Sequence, residues 1–160
     1  VKSVAETALD KFVSMRETEG VKMKEDVASR LDFIENVVSE IEKRSPQVTE
    51  AYRTRLTNKL KDILEDKNID ESRIVTEAAI FSEKTAVDEE TVRLRSHISQ
   101  FRKLLEADEP IGKKLDFIVQ EMNREVNTTG SKCQDLTITQ MVVNLKSEIE
   151  KIREQIQNIE

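Results

Sequence analysis

Apolar side chains recur every three or four positions along almost the whole chain, which is the spacing of one face of an α-helix. Between residues 4 and 41 this stripe is interrupted only near Gly20, which weakens a helix by about 1 kcal/mol relative to alanine. The pattern predicts one long helix or two stacked helices in this segment, with a hinge at Gly20.

Ser45 and Pro46 form the strongest boundary signal, because a serine hydroxyl can cap a helix and proline fits its first position. A second helix is predicted over residues 48–63, followed by a polar connection at residues 66–70. We therefore interpret residues 1–66 as a long helical hairpin.

Acidic residues and proline mark the starts of three further helices. Asp70 is the predicted cap of a helix that reaches Phe81, and Asp88 begins the next. Asp108 and Pro110 begin a helix that we expect to close at residues 127–131. The last helix carries a heptad stripe, and we expect it to pack against one partner along its whole length. The stripe consists of Ile138, Val142, Leu145, Ile149, Ile152, Ile156 and Ile159.

Composition supports an all-helical fold. The 160 residues include 3 Gly, 2 Pro, 1 Tyr and no Trp, which leaves little turn-forming or strand-favouring material. The 36% share of charged residues favours long, half-exposed helices. We predict an all-α fold, an elongated bundle of five or six helices with long N-terminal and C-terminal helices. It forms a single region over residues 1–160, with the functional segment at residues 70–160.

The chain shows no membrane-spanning run and no signal-peptide pattern, and Cys133 is its single cysteine, so we predict a soluble, cytoplasmic protein. It begins at Val1 inside a helical pattern, which suggests a fragment. The net charge of -6 argues against unspecific binding of polyanions. However, residues 93–132 carry eight Lys or Arg against six Asp or Glu, and such local basicity can bind phosphates. We expect Phe101 and Phe117 to lie in the core.

The helix after Pro110 carries more polar residues than a surface requires. Glu121 and Glu125 form an i, i+4 pair of like charges, which a divalent cation such as Mg²⁺ or Mn²⁺, or a neighbouring arginine, could compensate. The pattern alone favours a simpler alternative, a solvated face with Arg124 and Lys114 as partners. Asp116, Gln120, Asn123, Arg124 and Asn127 form a polar strip on the same helix.

His97 is the only histidine, and it could act as a general base or a metal ligand. The common alternative is a histidine bonded to a carboxylate. Because no second histidine exists at metal-ligand spacing, a conventional zinc enzyme is disfavoured.

Long strings in this chain resemble the C-terminal region of the YicC/YloC family. They are residues 112–117 (GKKLDF), 120–128 (QEMNREVNT), 131–132 (SK) and 150–160 (EKIREQIQNIE). Upstream, the resemblance extends to Met15, Arg16, Glu19, Gly20, Arg73, Glu77, Glu89, Glu90, Arg93, Leu94, Ser96 and His97.

This resemblance implies a function. Members of the family are bacterial, stress-related proteins of nearly twice this length, described as metal-dependent endoribonucleases that assemble as hexamers enclosing RNA. It implies that this chain is a C-terminal fragment of a nuclease that requires Mn²⁺ or Mg²⁺, active only with its N-terminal region or in the full homo-oligomer. The absence of a membrane-spanning run predicts no membrane association. The candidates for metal binding and acid/base chemistry are Asp116, Glu121, Glu125 and His97. The candidates for holding RNA phosphates are Arg93, Lys113, Lys114, Arg124 and Lys132.

The chain departs from the family at Ala86, where an acidic residue is usual, and at Thr76 and Thr129. Any mechanism that depends on the missing carboxylate is therefore in doubt, and metal affinity is expected to be weaker. Two alternatives remain open: a helical oligomerisation module, assembled through the first and last helices, and an RNA-binding protein without catalytic activity.

Overall fold

The computed structural model describes residues 2–64, 71–107 and 110–157, and the side chains of residues 7–62, 71–107 and 110–157. This part of the chain contains helices and no strand, which confirms the all-helical prediction. In chain order the helices are α1 (Lys2–Leu64), α2 (Glu71–Thr85), α3 (Asp88–Leu105), α4 (Gly112–Lys132) and α5 (Leu136–Ile156).

The middle of α1 forms a four-helix bundle with α3, α4 and α5. Helices α3 and α5 each pack against both α1 and α4. The apolar stripes of the four helices meet in one core, as amphipathic helices require. From α1 the core takes Val27, Leu31, Ile34, Val38 and Ile41, from α3 Leu94, Ile98 and Phe101, and from α4 Leu115, Ile118, Val119, Met122 and Val126.

Ion pairs fasten α3 and α5 to α1. They join Arg95 to Glu42 (2.8 Å), Arg102 to Asp32 (2.6 Å), Arg30 to Glu148 (2.8 Å) and Arg44 to Asp135 (3.0 Å). Because early residues of α1 pair with late residues of α3 and α5, both helices run antiparallel to α1. Two cations of the basic segment, Arg95 and Arg102, therefore belong to the scaffold.

The predicted boundary at Ser45 and Pro46 is wrong, because α1 continues through Pro46 to Leu64. The hairpin interpretation of residues 1–66 depended on that boundary. Proline in a helix interior removes one backbone hydrogen bond and costs about 3 kcal/mol or more. Packing on both sides offsets this cost: Ile41 is buried in the bundle, and Tyr52 stacks on Phe81 of α2 with ring centroids 3.9 Å apart.

Helix α4 begins and ends later than predicted. It starts at Gly112, two residues after Pro110, and it passes through Gly130 to Lys132. A Cβ atom on Gly130 would lie 3.0 Å from Cγ1 of Val142 in α5. Gly130 therefore permits a close approach of two helices and does not end the helix.

The heptad stripe of α5 is buried from Ile138 to Ile156, but against two helices, α4 and α1, instead of the single partner expected. The start of α3 at Asp88 is confirmed. The predictions for residues 66–70, Asp108 and Ile159 lie outside the described residues. No helix in the described part of the chain is long and apolar enough to cross a membrane.

Candidate metal centre

His97, Glu121 and Glu125 converge at the α3–α4 interface. Each offers one ligand atom, and these three atoms lie within 4.8 Å of one another. His97 and Glu121 are half-buried, whereas Glu125 is only 6% exposed. A solvated face is therefore the wrong description of Glu125.

Helix periodicity places these side chains together. On α3, His97 adjoins the buried Leu94 and Ile98, and on α4, Glu121 and Glu125 adjoin the buried Met122. Each polar residue thus lies at the edge of an apolar stripe. When the two stripes pack against each other, the polar edges are brought to the same side of the interface.

Arg93, one turn before His97, neutralises part of this cluster. Its Nε donates to Oε2 of Glu125 at 3.0 Å, and its Nη1 donates to Glu89 at 2.6 Å. The hydrogen bond to Glu125 is the main reason why the pKa of Arg93 is raised above its ordinary value. The guanidinium of Arg93 therefore reduces the repulsion between the carboxylates of Glu121 and Glu125. The sequence indicated that either a neighbouring arginine or a divalent cation could do this.

Glu90 lies beside this cluster and is almost fully buried, with 2% of its side chain exposed. Oε1 of Glu90 accepts a hydrogen bond from Nζ of Lys132 at 2.7 Å and a longer one from Arg93 at 3.5 Å. Its other oxygen, Oε2, is buried without a hydrogen-bond partner. Lys132, predicted to bind RNA, is therefore engaged in holding a buried carboxylate.

The remaining predicted residues are spread along α4. Asp116 accepts a hydrogen bond from Gln120 at 2.7 Å and does not belong to the cluster of three ligand atoms. Arg124 lies 3.8 Å from Glu121 and is 75% exposed, so this pair is weak. Lys113 and Lys114 occupy the exposed first turn of α4.

Other residues of this region were missed or misplaced by the sequence analysis. Ser96 and Thr128 line the cavity of about 430 Å³ above the cluster, although neither was predicted as a site residue. The available signals were that Ser96 precedes His97 directly and that Thr128 lies one helical turn after Arg124. Phe101 is buried as expected, but Phe117 is 62% exposed, which corrects the prediction that both lie in the core.

An imidazole nitrogen and two carboxylates fit a divalent metal ion such as Mn²⁺, because three protein ligands leave positions open for water and substrate. The fit is supported by the ligand atoms themselves, because one imidazole nitrogen and two carboxylate oxygens are groups that bind such an ion. Ala86 lies outside the cluster, in the connection between α2 and α3. The three ligand atoms therefore converge without a contribution from position 86.

The described helices thus form a bundle in which two adjacent helices, α3 and α4, bring together three side chains that could hold a metal ion. Residues 41–160 match the family described as "Endoribonuclease YicC-like, C-terminal". The chain belongs to this YicC-like family.

Two similar proteins are both named "Probable endoribonuclease YicC". The one from Clostridioides difficile (strain 630) is 51% identical over 156 residues, which is 97% of this chain and 53% of that protein. The one from Haemophilus influenzae (strain ATCC 51907 / DSM 11121 / KW20 / Rd) is 37% identical over 152 residues, which is 95% of this chain and 52% of that protein. The chain thus spans about half the length of these relatives.

Proposed function

We propose that this protein is a metal-dependent endoribonuclease whose divalent ion is held by His97, Glu121 and Glu125. The observation that carries the proposal is the convergence of three ligand atoms in one half-buried cavity. The names of the relatives supply the reaction class.

A divalent ion bound here would activate a nucleophile and neutralise the charge that develops on the phosphate. His97 would bind through one ring nitrogen and the two glutamates through oxygen atoms. Arg93 and Arg124 line the same cavity and supply positive charge for the phosphate that enters it. Arg93 would exchange part of its interaction with Glu125 for the phosphate while Glu89 continues to bind its Nη1.

The experiment is cleavage of an end-labelled RNA by the purified protein with Mn²⁺, with Mg²⁺ and with a chelator. We expect internal cleavage only with metal, and a loss of at least about 100-fold when Glu121→Gln and Glu125→Gln are combined, because removal of two of three ligands abolishes tight binding.

The matched control combines Glu40→Gln with Glu83→Gln, which removes the same charge from exposed positions on α1 and α2. This control should cleave as the wild type does. Undiminished cleavage by the Glu121/Glu125 variant, or cleavage in the chelator, would show that the cluster does not hold a catalytic metal.

A helical assembly module without catalytic activity is the second candidate, and one observation favours it. The first part of α1 exposes Leu9, Phe12, Val13, Met15 and Val21, each more than half exposed. An apolar stripe of this kind is typical of an interface between chains. In this proposal the protein is a homo-oligomer joined through α1. Phe12→Glu should then lower the molar mass measured by light scattering, whereas an unchanged mass would count against it.

A further inference from the structure

We propose that the outward face of α4, together with Arg153 of α5, binds single-stranded RNA beside the metal cluster, with a base stacked on Phe117 and a phosphate held by Arg153. This inference rests on the proposed function, since it names the form of the substrate and the residues that position it. Neither residue was a candidate in the sequence analysis.

Phe117 is the first observation. Its ring is 62% exposed, one helical turn before Glu121 and one turn after Lys113. A single exposed apolar residue is ordinary on a protein surface. Phe117 differs because the positions three and four residues away on α4 are all polar or charged: Lys113, Lys114, Gln120 and Glu121. Such a ring among cations is the arrangement on which proteins stack unpaired bases.

Continuity of the surface is the second observation. The cavity above the cluster shares Arg124 and Thr128 with a neighbouring depression, which is also lined by the amides of Gln120, Asn123 and Asn127. Arg153 lines this depression and a third one, beside Lys113 and Asp116. One polar surface therefore runs from the metal ligands across α4 to α5.

The charge on this surface suits a nucleic acid backbone. The guanidinium of Arg153 lies 3.5 Å from Glu150, a long contact, and its Nε is buried without a hydrogen-bond partner in the described part of the chain. The carboxylate of Asp116, at the end of the surface away from the metal ligands, would repel a phosphate, but it already accepts a hydrogen bond from Gln120. Amide side chains between the cations can bond base edges, which requires bases that are not paired.

A second copy of this chain is the competing occupant of the Phe117 face. RNA is favoured because the surface is polar, carries cations at intervals and ends at the metal ligands. Protein interfaces instead place apolar side chains at their centre, and here Phe117 is surrounded by polar ones.

Binding of a short fluorescent single-stranded RNA, measured by anisotropy in a chelator, tests the proposal without cleavage. Phe117→Leu should weaken binding about 5-fold or more, because it removes the ring and keeps an apolar side chain. Phe33→Leu is the matched control, since Phe33 is 43% exposed on α1, and it should bind as the wild type does.

Arg153→Gln should weaken binding several-fold and reduce the salt dependence of binding by about 0.7 in the log–log slope, as loss of one phosphate contact predicts. Lys151→Gln removes the same charge from α5, where Lys151 bonds Glu148 on the side of α1, and should change neither quantity.

Unchanged affinity and salt slope in both Phe117→Leu and Arg153→Gln would overturn the inference and leave the metal site standing. A change in oligomeric state with unchanged RNA affinity for Phe117→Leu would likewise overturn it in favour of the protein interface. If the wild type bound no RNA in the chelator, this inference would fail, whereas the endoribonuclease proposal would still be decided by the cleavage assay with Mn²⁺.

Discussion

Replacing Lys132 by methionine separates a structural from an RNA-binding role for this lysine. In the structure its Nζ lies 2.7 Å from Oε1 of Glu90, whose side chain is 2% exposed. Without Lys132, Glu90 retains only the 3.5 Å contact with Arg93, and its Oε2 already has no partner. The substitution therefore leaves a buried carboxylate without adequate compensation.

The expected magnitude follows from the burial of the two partners. Removing one partner of a fully buried pair costs about 3–5 kcal/mol. Lys132 is 34% exposed, so water can replace part of its interaction. We therefore expect a loss of about 2–3 kcal/mol in the free energy of unfolding, which for a chain of this size lowers Tm by about 5–10 °C.

Calorimetry or circular dichroism measures this change directly. The double variant Glu90→Gln with Lys132→Met should recover part of the lost stability, because a neutral amide costs less to bury than a carboxylate. If Lys132→Met melted within about 1 °C of the wild type and bound RNA more weakly, the structural role would be refuted and the phosphate-binding prediction restored.

Three further predictions address the fold. The pKa of Asp135 is lowered mainly by its hydrogen bond from Arg44, and the pKa of Glu42 mainly by its hydrogen bond from Arg95. Their contribution to stability is therefore complete above about pH 5, where both carboxylates are ionised even in the unfolded chain, and it is lost as the pH falls through the lower folded pKa values. Acid titration of Tm should therefore show a decline that Asp135→Asn reduces. Phe101→Ala should lose about 3–5 kcal/mol in denaturant unfolding and Phe117→Ala less than about 0.5, since only Phe101 is buried. Gly20→Ala should slow amide exchange in α1, because no atom lies within 4 Å of the added Cβ and alanine favours helix by about 1 kcal/mol.

The helices were predictable where local periodicity and burial agree. The apolar stripes of α3, α4 and α5 are spaced for one buried face, and Asp88 begins α3 as its charge near the positive helix end suggests. The boundary predicted at Pro46 is wrong because packing between α1 and α2 offsets the free-energy cost of a proline inside the helix. That packing joins residues far apart in sequence, so a short segment around Pro46 does not indicate it.

The candidate site was predictable only in part. Glu121 and Glu125 are visible as a pair on one helix, and His97 as a lone histidine, but their convergence depends on the register between α3 and α4. The partner of Lys132 is 42 positions away in sequence, at Glu90. Arg153 was overlooked because it lies in an acidic segment, and its role depends on where α5 meets α4.

The dependence of RNA cleavage on Mn²⁺ concentration, compared between wild type and Glu121→Gln, tests the central claim most directly. If Glu121 is a metal ligand, the Mn²⁺ concentration for half-maximal rate should rise by at least about 10-fold in the variant, because loss of a direct ligand costs at least as much affinity as loss of an outer-shell partner. If the Mn²⁺ concentration for half-maximal rate were the same in both proteins, with or without a lower maximal rate in the variant, metal binding by this cluster would be contradicted.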